Sequence, residues 1–253
     1  MFLEKNILSD QTVSDIVSKD YRYAKALDSF GVDFYKYFDY QIEDLCKIKG
    51  FEKESLIGYR ISLDESFDLE YKTLKSCPIN LVIEYLKHNH NYFIKNKLPY
   101  IQNLIHNLDT SSSNYKFSDD LKFIFPLFYE EFTDHIIEEE KIIFKYINKL
   151  FYTDNNIINP SSMFFLMKDV ALKEIANEHL HEDSEMSGIR GLTKNYSLSN
   201  INDLHMKVIF QELKDFDKEL EIHSDIENKI LFPRAIELEN KISNEIRNIS
   251  FLN

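Results

Sequence analysis

The sequence predicts an all-α protein: a small N-terminal helical domain followed by an up-down four-helix bundle. Three observations predict it. Apolar residues recur at gaps of three and four over four long stretches. Glycine is scarce, five in 253 residues, roughly 2% against a usual ~7%, so the frequent tight turns of a sandwich or barrel are missing. Short polar segments join the four stretches, which favours antiparallel neighbours.

The elements follow in order. Residues 1–74 hold short helical pieces at 12–20, 23–30 and 41–48, with Gly31 placed where a helix should stop. Residues 65–76 read as a linker or peripheral segment, and 75–253 form the second domain. Its first helix runs over 78–108, with Ile83, Leu86, Phe93, Ile94, Leu98 and Ile101 on one stripe. Pro78 suits a first turn, and Pro99 predicts a kink. A Ser/Asn/Asp-rich loop covers 109–120. The second helix runs over 118–152, with Ser118 as its cap and Phe125, Phe128, Phe132, Ile136, Ile143, Tyr146 and Leu150 as its apolar side. The third covers 161–192, carries Leu172, Ile175, Ala176 and Met186, and frays or ends at Gly188 and Gly191. The fourth starts near 199–200 and continues towards 247, with a bend expected at Pro233.

Composition excludes several functions. A net charge of −13 disfavours an extended nucleic-acid surface. The longest apolar run, 123–128, is far too short to cross a membrane. No glycine-rich dinucleotide or phosphate loop is present. The first ten residues lack the apolar core of a secretory signal, and Cys46 and Cys77 form no CxxC pair. A cytoplasmic protein without a disulfide framework, nucleic-acid partner or membrane contact is expected.

Two segments repeat each other. Residues 134–147 and 222–235 share the pattern His-x3-Glu-x-Lys-Ile-[Ile/Leu]-Phe, with His135 and Glu139 in one and His223 and Glu227 in the other. Positions i and i+4 share a helix face, and here that face is the apolar stripe. Burying a carboxylate without a partner is costly. Two carboxylates at equivalent positions call for a shared cation, as in bundles where facing carboxylates bridge a metal pair and histidines cap it. On the third helix His179 continues the stripe, whereas His181 is turned about 200° away at ~100° per residue. On the first, His90 continues the stripe and His88 does not. The offsets agree, since His90 to His179 spans 89 positions and His135 to His223 spans 88. The predicted ligand set is therefore His90, His135, Glu139, His179, His223 and Glu227. Glu139 and Glu227 are the expected bridges, with His90 and His135 capping one ion and His179 and His223 the other. Mixed nitrogen and oxygen ligation suits iron, with zinc and manganese as alternatives. Glu131 and Glu178 are candidate supporting groups or proton carriers. His88 and His181 are expected to be exposed or supporting, and His106 and His205 to be surface histidines.

These motifs resemble the hemerythrin-like (HHE) domain, and most closely the iron–sulfur cluster repair di-iron proteins of the RIC, or ScdA/YtfE, type. The likeness is specific at His135-x3-Glu139 and at His223-x3-Glu227 followed by Asn228-Lys229-Ile230-Leu231-Phe232-Pro233-Arg234-Ala235. Glu178-His179 followed by Leu192-Thr193-Lys194-Asn195-Tyr196 is similar to the family's third-helix segment. Thr12 to Val17, Phe30 to Phe34 and Ile42 to Cys46 resemble the family's small ScdA-type domain. Two departures stand out. Tyr35-Lys36 occupies the place of the family's Cys-Cys pair. Laid on without a gap from Pro99, the family's first-helix histidine falls on Asn91, one residue past His90; either His90 takes over through a small register shift, which periodicity favours, or one iron loses a ligand. The resemblance implies two non-haem iron ions, oxo-bridged when oxidised, and a role in nitrosative and oxidative stress defence. It implies a centre that binds NO or O2 or donates iron, with damaged iron–sulfur proteins as partners. The alternative is a hemerythrin-like module that binds or senses O2 or NO without turnover.

Overall fold

The computed structural model describes residues 10–63, 71–109, 117–170, 172–181, 186–199 and 201–251. The protein is all-α: among the described residues the only extended pairing is an isolated bridge between Thr12 and Gln41. Two compact units emerge, Met1–Asp68 with Tyr196–Leu213 and Leu69–Asn195 with Lys214–Asn253. This division differs from a single cut at residue 74, because 196–213 belongs with the first unit.

In the first unit, α1 (Val13–Lys19) opens on a reciprocal cap. The Thr12 hydroxyl accepts from the Asp15 amide and the Asp15 carboxylate accepts from the Thr12 amide. Helix α2 (Arg22–Ser29) stops as expected at Gly31, whose φ of 70° a residue with a Cβ adopts only under strain. A 3-10 turn at Phe34–Lys36 leads to α3 (Ile42–Lys49), which ends on Gly50 in the same left-handed conformation. Helix α4 (Lys53–Ser62) has no counterpart in the predicted pieces, since only Leu56 is buried on it and its periodic signal is correspondingly weak. Val13, Ile16, Leu27, Phe34, Ile42 and Leu45 are buried in this unit.

Asp20 ties three of these helices together. Its carboxylate accepts from Arg22 Nε at 2.8 Å and pairs with Arg60 of α4. Burial alone would raise its pKa, but the two guanidinium groups outweigh burial and hold it below the usual value. A depressed folded pKa contributes stability above the unfolded value, about 3.9, that is lost as pH falls through the folded value. Asp20→Asn should therefore cost about 2 kcal/mol at neutral pH and progressively less as pH falls below the unfolded value, about 3.9. Urea denaturation over a falling series of pH values checks this.

The second unit contains α5 (Tyr71–Ser76), α6 (Ile79–Tyr92), α7 (Leu98–His106), α8 (Phe117–Glu139), α9 (Lys145–Asp154), α10 (Met163–Asp169), α11 (Leu172–His181) and α12 (Ser187–Leu192). Helix α13 (Leu204–Ile226) belongs to it from Lys214 onward, and α14 (Phe232–Phe251) completes it. Helix α9 packs on α6, α10 and α14, α7 packs on α8, and α11 packs on α14. Leu86, Phe144, Leu150, Ile226, Leu231 and Phe232 belong to its core.

Three long helices are interrupted by π-helical turns, at Phe93–Lys97, Glu140–Phe144 and Glu227–Leu231. Pro99 and Pro233 are each the second residue of the α-helix that follows such a turn. A proline there removes a backbone donor where the ladder changes register. The loosened ladder is repaired at Ile94, whose carbonyl accepts from the Tyr129 hydroxyl of α8 at 2.9 Å.

The predicted third helix is broken into α10, α11 and α12. The backbone is extended at Val170. Leu166 and Met167 keep gaps of four and three to Val170, but the next apolar position of the stripe, Leu172, follows after only two. Helix α12 ends one residue after Gly191, and Lys194, Asn195 and Tyr196 follow with φ of 51°, 57° and 56°. The start of α13 falls later than 199–200 because Asp203 supplies the cap, its carboxylate accepting from the Met206 amide at 2.7 Å. Helix α8 begins at Phe117, so Ser118 lies inside it and is buried. Of the predicted linker 65–76, residues 65–70 lie outside the described residues and 71–76 form α5. Of the predicted 109–120 loop, residues 110–116 also lie outside them. Among the described residues no helix is long and apolar enough to cross a membrane.

Candidate metal centre

Helical spacing brings the two repeated motifs to one place in the second unit. His90 on α6, Glu139 at the end of α8, His223 on α13 and Glu227 at the start of the third π-turn form a buried cluster. One ligand atom from each lies within 4.8 Å of all the others. His90 and Glu227 are each 1% exposed and Glu139 3%, with Phe144 against His90 and Phe93 against His223.

The distances are those of a group that could hold a metal ion. His90 Nε2 stands 3.0 Å from His223 Nε2 and 3.4 Å from Glu139 Oε2. His223 Nε2 is 3.0 Å from Glu227 Oε1, and His179 Nε2 is 3.5 Å from Glu227 Oε2. Two donors bound at about 2.1 Å stand ~3.0 Å apart at a right angle and ~3.4 Å apart at a tetrahedral angle. The two oxygens of Glu227 thus face two different histidines, as a bridging carboxylate does.

Hydrogen bonding alone leaves this group unbalanced. Glu140 accepts from His90 Nδ1 at 2.9 Å, which fixes the tautomer and turns the Nε2 lone pair of His90 into the cluster. A neutral His223 has at most one Nε2 proton, yet both His90 Nε2 and Glu227 Oε1 lie 3.0 Å from that atom. One of these contacts then sets acceptor against acceptor. Glu139 Oε1 is buried and accepts no hydrogen bond. Burial, reinforced by the adjacent Glu227, pushes the Glu139 carboxyl well above the usual carboxylate range. Burial, with a contribution from His223, pushes the His90 imidazole down to about 3. Burial likewise pushes His223 down to about 4. At neutral pH the cluster therefore offers the unprotonated imidazoles of His90 and His223 beside a Glu139 carboxyl that resists ionisation alone. A cation resolves each of these conflicts, and the donor set fits a metal ion.

The repeat continues in three dimensions. His90 lies 3.4 Å from Glu139, and its counterpart His179 lies 3.5 Å from Glu227. Phe144 and Phe232 are the phenylalanines that close the two motifs. Phe144 stacks on His90 at 5.5 Å, and Phe232 meets His179 edge-on at 5.4 Å. The histidines pair differently from the expected caps. His90 faces His223, and His135 lies across from His179 with ring centroids 6.0 Å apart. The expected caps pair His90 with His135 and His179 with His223. Sequence spacing sets which helix face a side chain occupies, but not which helices face each other across the core. The π-turns sit against this cluster: Glu139 directly precedes one and Glu227 opens another. Such turns persist at functional sites, where side-chain placement outweighs helix geometry.

The remaining predicted residues are distributed as follows. His135 and His179 are half-buried, and His88, His106 and Glu131 are exposed. The side chains of Glu178 and His181 lie outside the described residues. His205 is not a surface histidine. It is buried in the first unit, stacked on Tyr35 at 4.2 Å with Phe34 at its edge. Tyr35 is thus held in an aromatic stack, and Lys36 pairs with Asp33 at 2.8 Å. Both cysteines are free, and burial raises the Cys46 thiol. Glu140 escaped the sequence reading although it marks a difference between the repeats, which carry Glu140 in one copy and Asn228 in the other. His90→Ala should weaken metal uptake at least about tenfold while His88→Ala leaves it unchanged. Metal analysis after reconstitution checks the pair, and the reverse result would move the ligand by two positions.

Fold and site define an all-helical chain with a buried His/Glu group that could hold a metal ion. No protein-family model matches the chain, and no curated protein matches it.

Proposed function

We propose that this chain is a di-iron protein of the hemerythrin-like, iron–sulfur cluster repair type, acting in defence against nitric oxide and oxidants. The observation that carries this reading is the Glu227 carboxylate, buried with one oxygen toward His223 and the other toward His179. A carboxylate so placed serves two ions at once. In this reading α6–α7, α8–α9, α11 and α13–α14 are the four helices of the bundle. Glu139 and Glu227 would be shared between two irons, His90 and His223 would hold one, and His135 and His179 would hold the other. When bound, such a pair would supply redox chemistry toward NO or O2.

The protein's own part is to hold and shield. Glu140 keeps the His90 ring in its ligating orientation. Phe93, Phe144 and Phe232 wall the imidazoles and limit bulk water. Exposed histidines such as His88 take no part. Damaged iron–sulfur proteins are the proposed partners, as the family resemblance implies.

A second reading, reversible O2 or NO binding without turnover, is favoured by one observation. Tyr35 and Lys36 form a stacked and ion-paired turn where the family carries thiols, so no thiol transfer is available there. The reduced, iron-loaded chain separates the two readings. Net consumption of NO or restoration of a damaged cluster supports repair. Reversible O2 uptake with neither supports the binding module. No response to NO or O2 by an iron-loaded chain would contradict both.

A further inference from the structure

The two halves of the centre repeat each other closely, and one difference between them is chemical. In the first half, Glu140 follows the bridging Glu139 and its carboxylate accepts from His90 Nδ1 at 2.9 Å. In the second half the matching residue is Asn228, and its amide donates within its own helix to Ser224 Oγ at 3.1 Å. A carboxylate behind a ligating imidazole makes the ring a stronger donor and fixes its orientation. An amide turned back on its own helix adds no such charge.

Burial differs in the same direction. The His90 side chain is 1% exposed and that of His223 9%, against 13% for His179, and His135 is also half-buried. The four residues whose ligand atoms already lie within 4.8 Å of one another are His90, Glu139, His223 and Glu227. A first ion at that position meets four donors already gathered, whereas His135 and His179 stand outside that group.

We propose that the two metal positions are unequal: the one between His90 and His223, backed by Glu140, fills first and keeps its ion, and the one completed by His135 and His179 fills second and releases its ion first. This rests on the di-metal reading and adds an order to it. A pair with one fixed and one exchangeable ion is suited to handing over a single iron while the fold stays intact. Glu140 acts here as a positioning residue, through His90.

The test is anaerobic titration of the metal-free chain with ferrous iron against a competing chelator. Two steps separated by at least about tenfold are expected, the range by which such supporting groups change metal affinity. Glu140→Asn should weaken the tight step at least about tenfold and leave the weak one in place. Asn228→Glu should strengthen the weak step. His179→Ala should abolish the weak step and keep one tightly held ion. Helical content by circular dichroism confirms that each variant folds. Uptake of both ions in one step, or a Glu140→Asn chain with an unchanged separation, would overturn the proposal and leave the di-metal reading standing. A wild-type chain that binds no metal would overturn both.

Discussion

Alanine at Glu227 is expected to empty the centre altogether. Each of its carboxylate oxygens faces a different histidine, at 3.0 and 3.5 Å, so its loss would remove a donor from both of the proposed ions at once. Loss of a supporting group behind a ligand already costs about 10- to 100-fold in affinity, and loss of a shared ligand exceeds that at each position. Metal per chain after anaerobic reconstitution should fall from about two to none for Glu227→Ala, and equally for Glu139→Ala. Glu131→Ala is the control. Glu131 is exposed one turn before His135, and its removal should leave the metal content unchanged.

The second large effect runs in the opposite direction from function. Without a metal, Glu139 is a burden on the fold. It is 3% exposed, its Oε1 accepts no hydrogen bond, and a second buried carboxylate lies beside it. Replacing a buried ionic group by an apolar side chain of similar volume is often stabilising, by about 1–4 kcal/mol. Glu139→Leu should therefore be more stable than the wild type when both are metal-free, while binding no metal. Adding metal should reverse the order, because an ion at 100 times its dissociation constant contributes about 2.7 kcal/mol to the wild type alone. Urea denaturation with and without chelator measures both signs. A metal-free Glu139→Leu chain less stable than the wild type would show that Glu139 is a structural residue satisfied without a cation.

Much of this was legible in the sequence because helical period and burial chemistry speak together at the motifs. His90 was separable from His88 by spacing alone, and the structure buries the first and exposes the second. The His-x3-Glu repeat placed Glu139 and Glu227 on an apolar face, and both are buried. Other features depend on which helices meet, which no spacing encodes. The pairing of His90 with His223 is one such case, and the stacking of His205 on Tyr35 is another. Helix α4 was silent because one buried leucine makes no period. The π-turns were half-legible: Pro99 and Pro233 announced an irregularity, but not that the ladder widens instead of kinking. The Glu140/Asn228 difference was in plain view, and it gained meaning only when one side chain reached a histidine and the other did not.

The most direct measurement is the iron content and optical spectrum of the chain reconstituted with ferrous iron and then exposed to air. About two irons per chain, with the near-ultraviolet bands of an oxo-bridged ferric pair, is the expected result. A chain that takes up no iron and shows no such bands would contradict the central claim, and would leave the buried His/Glu group without its cation.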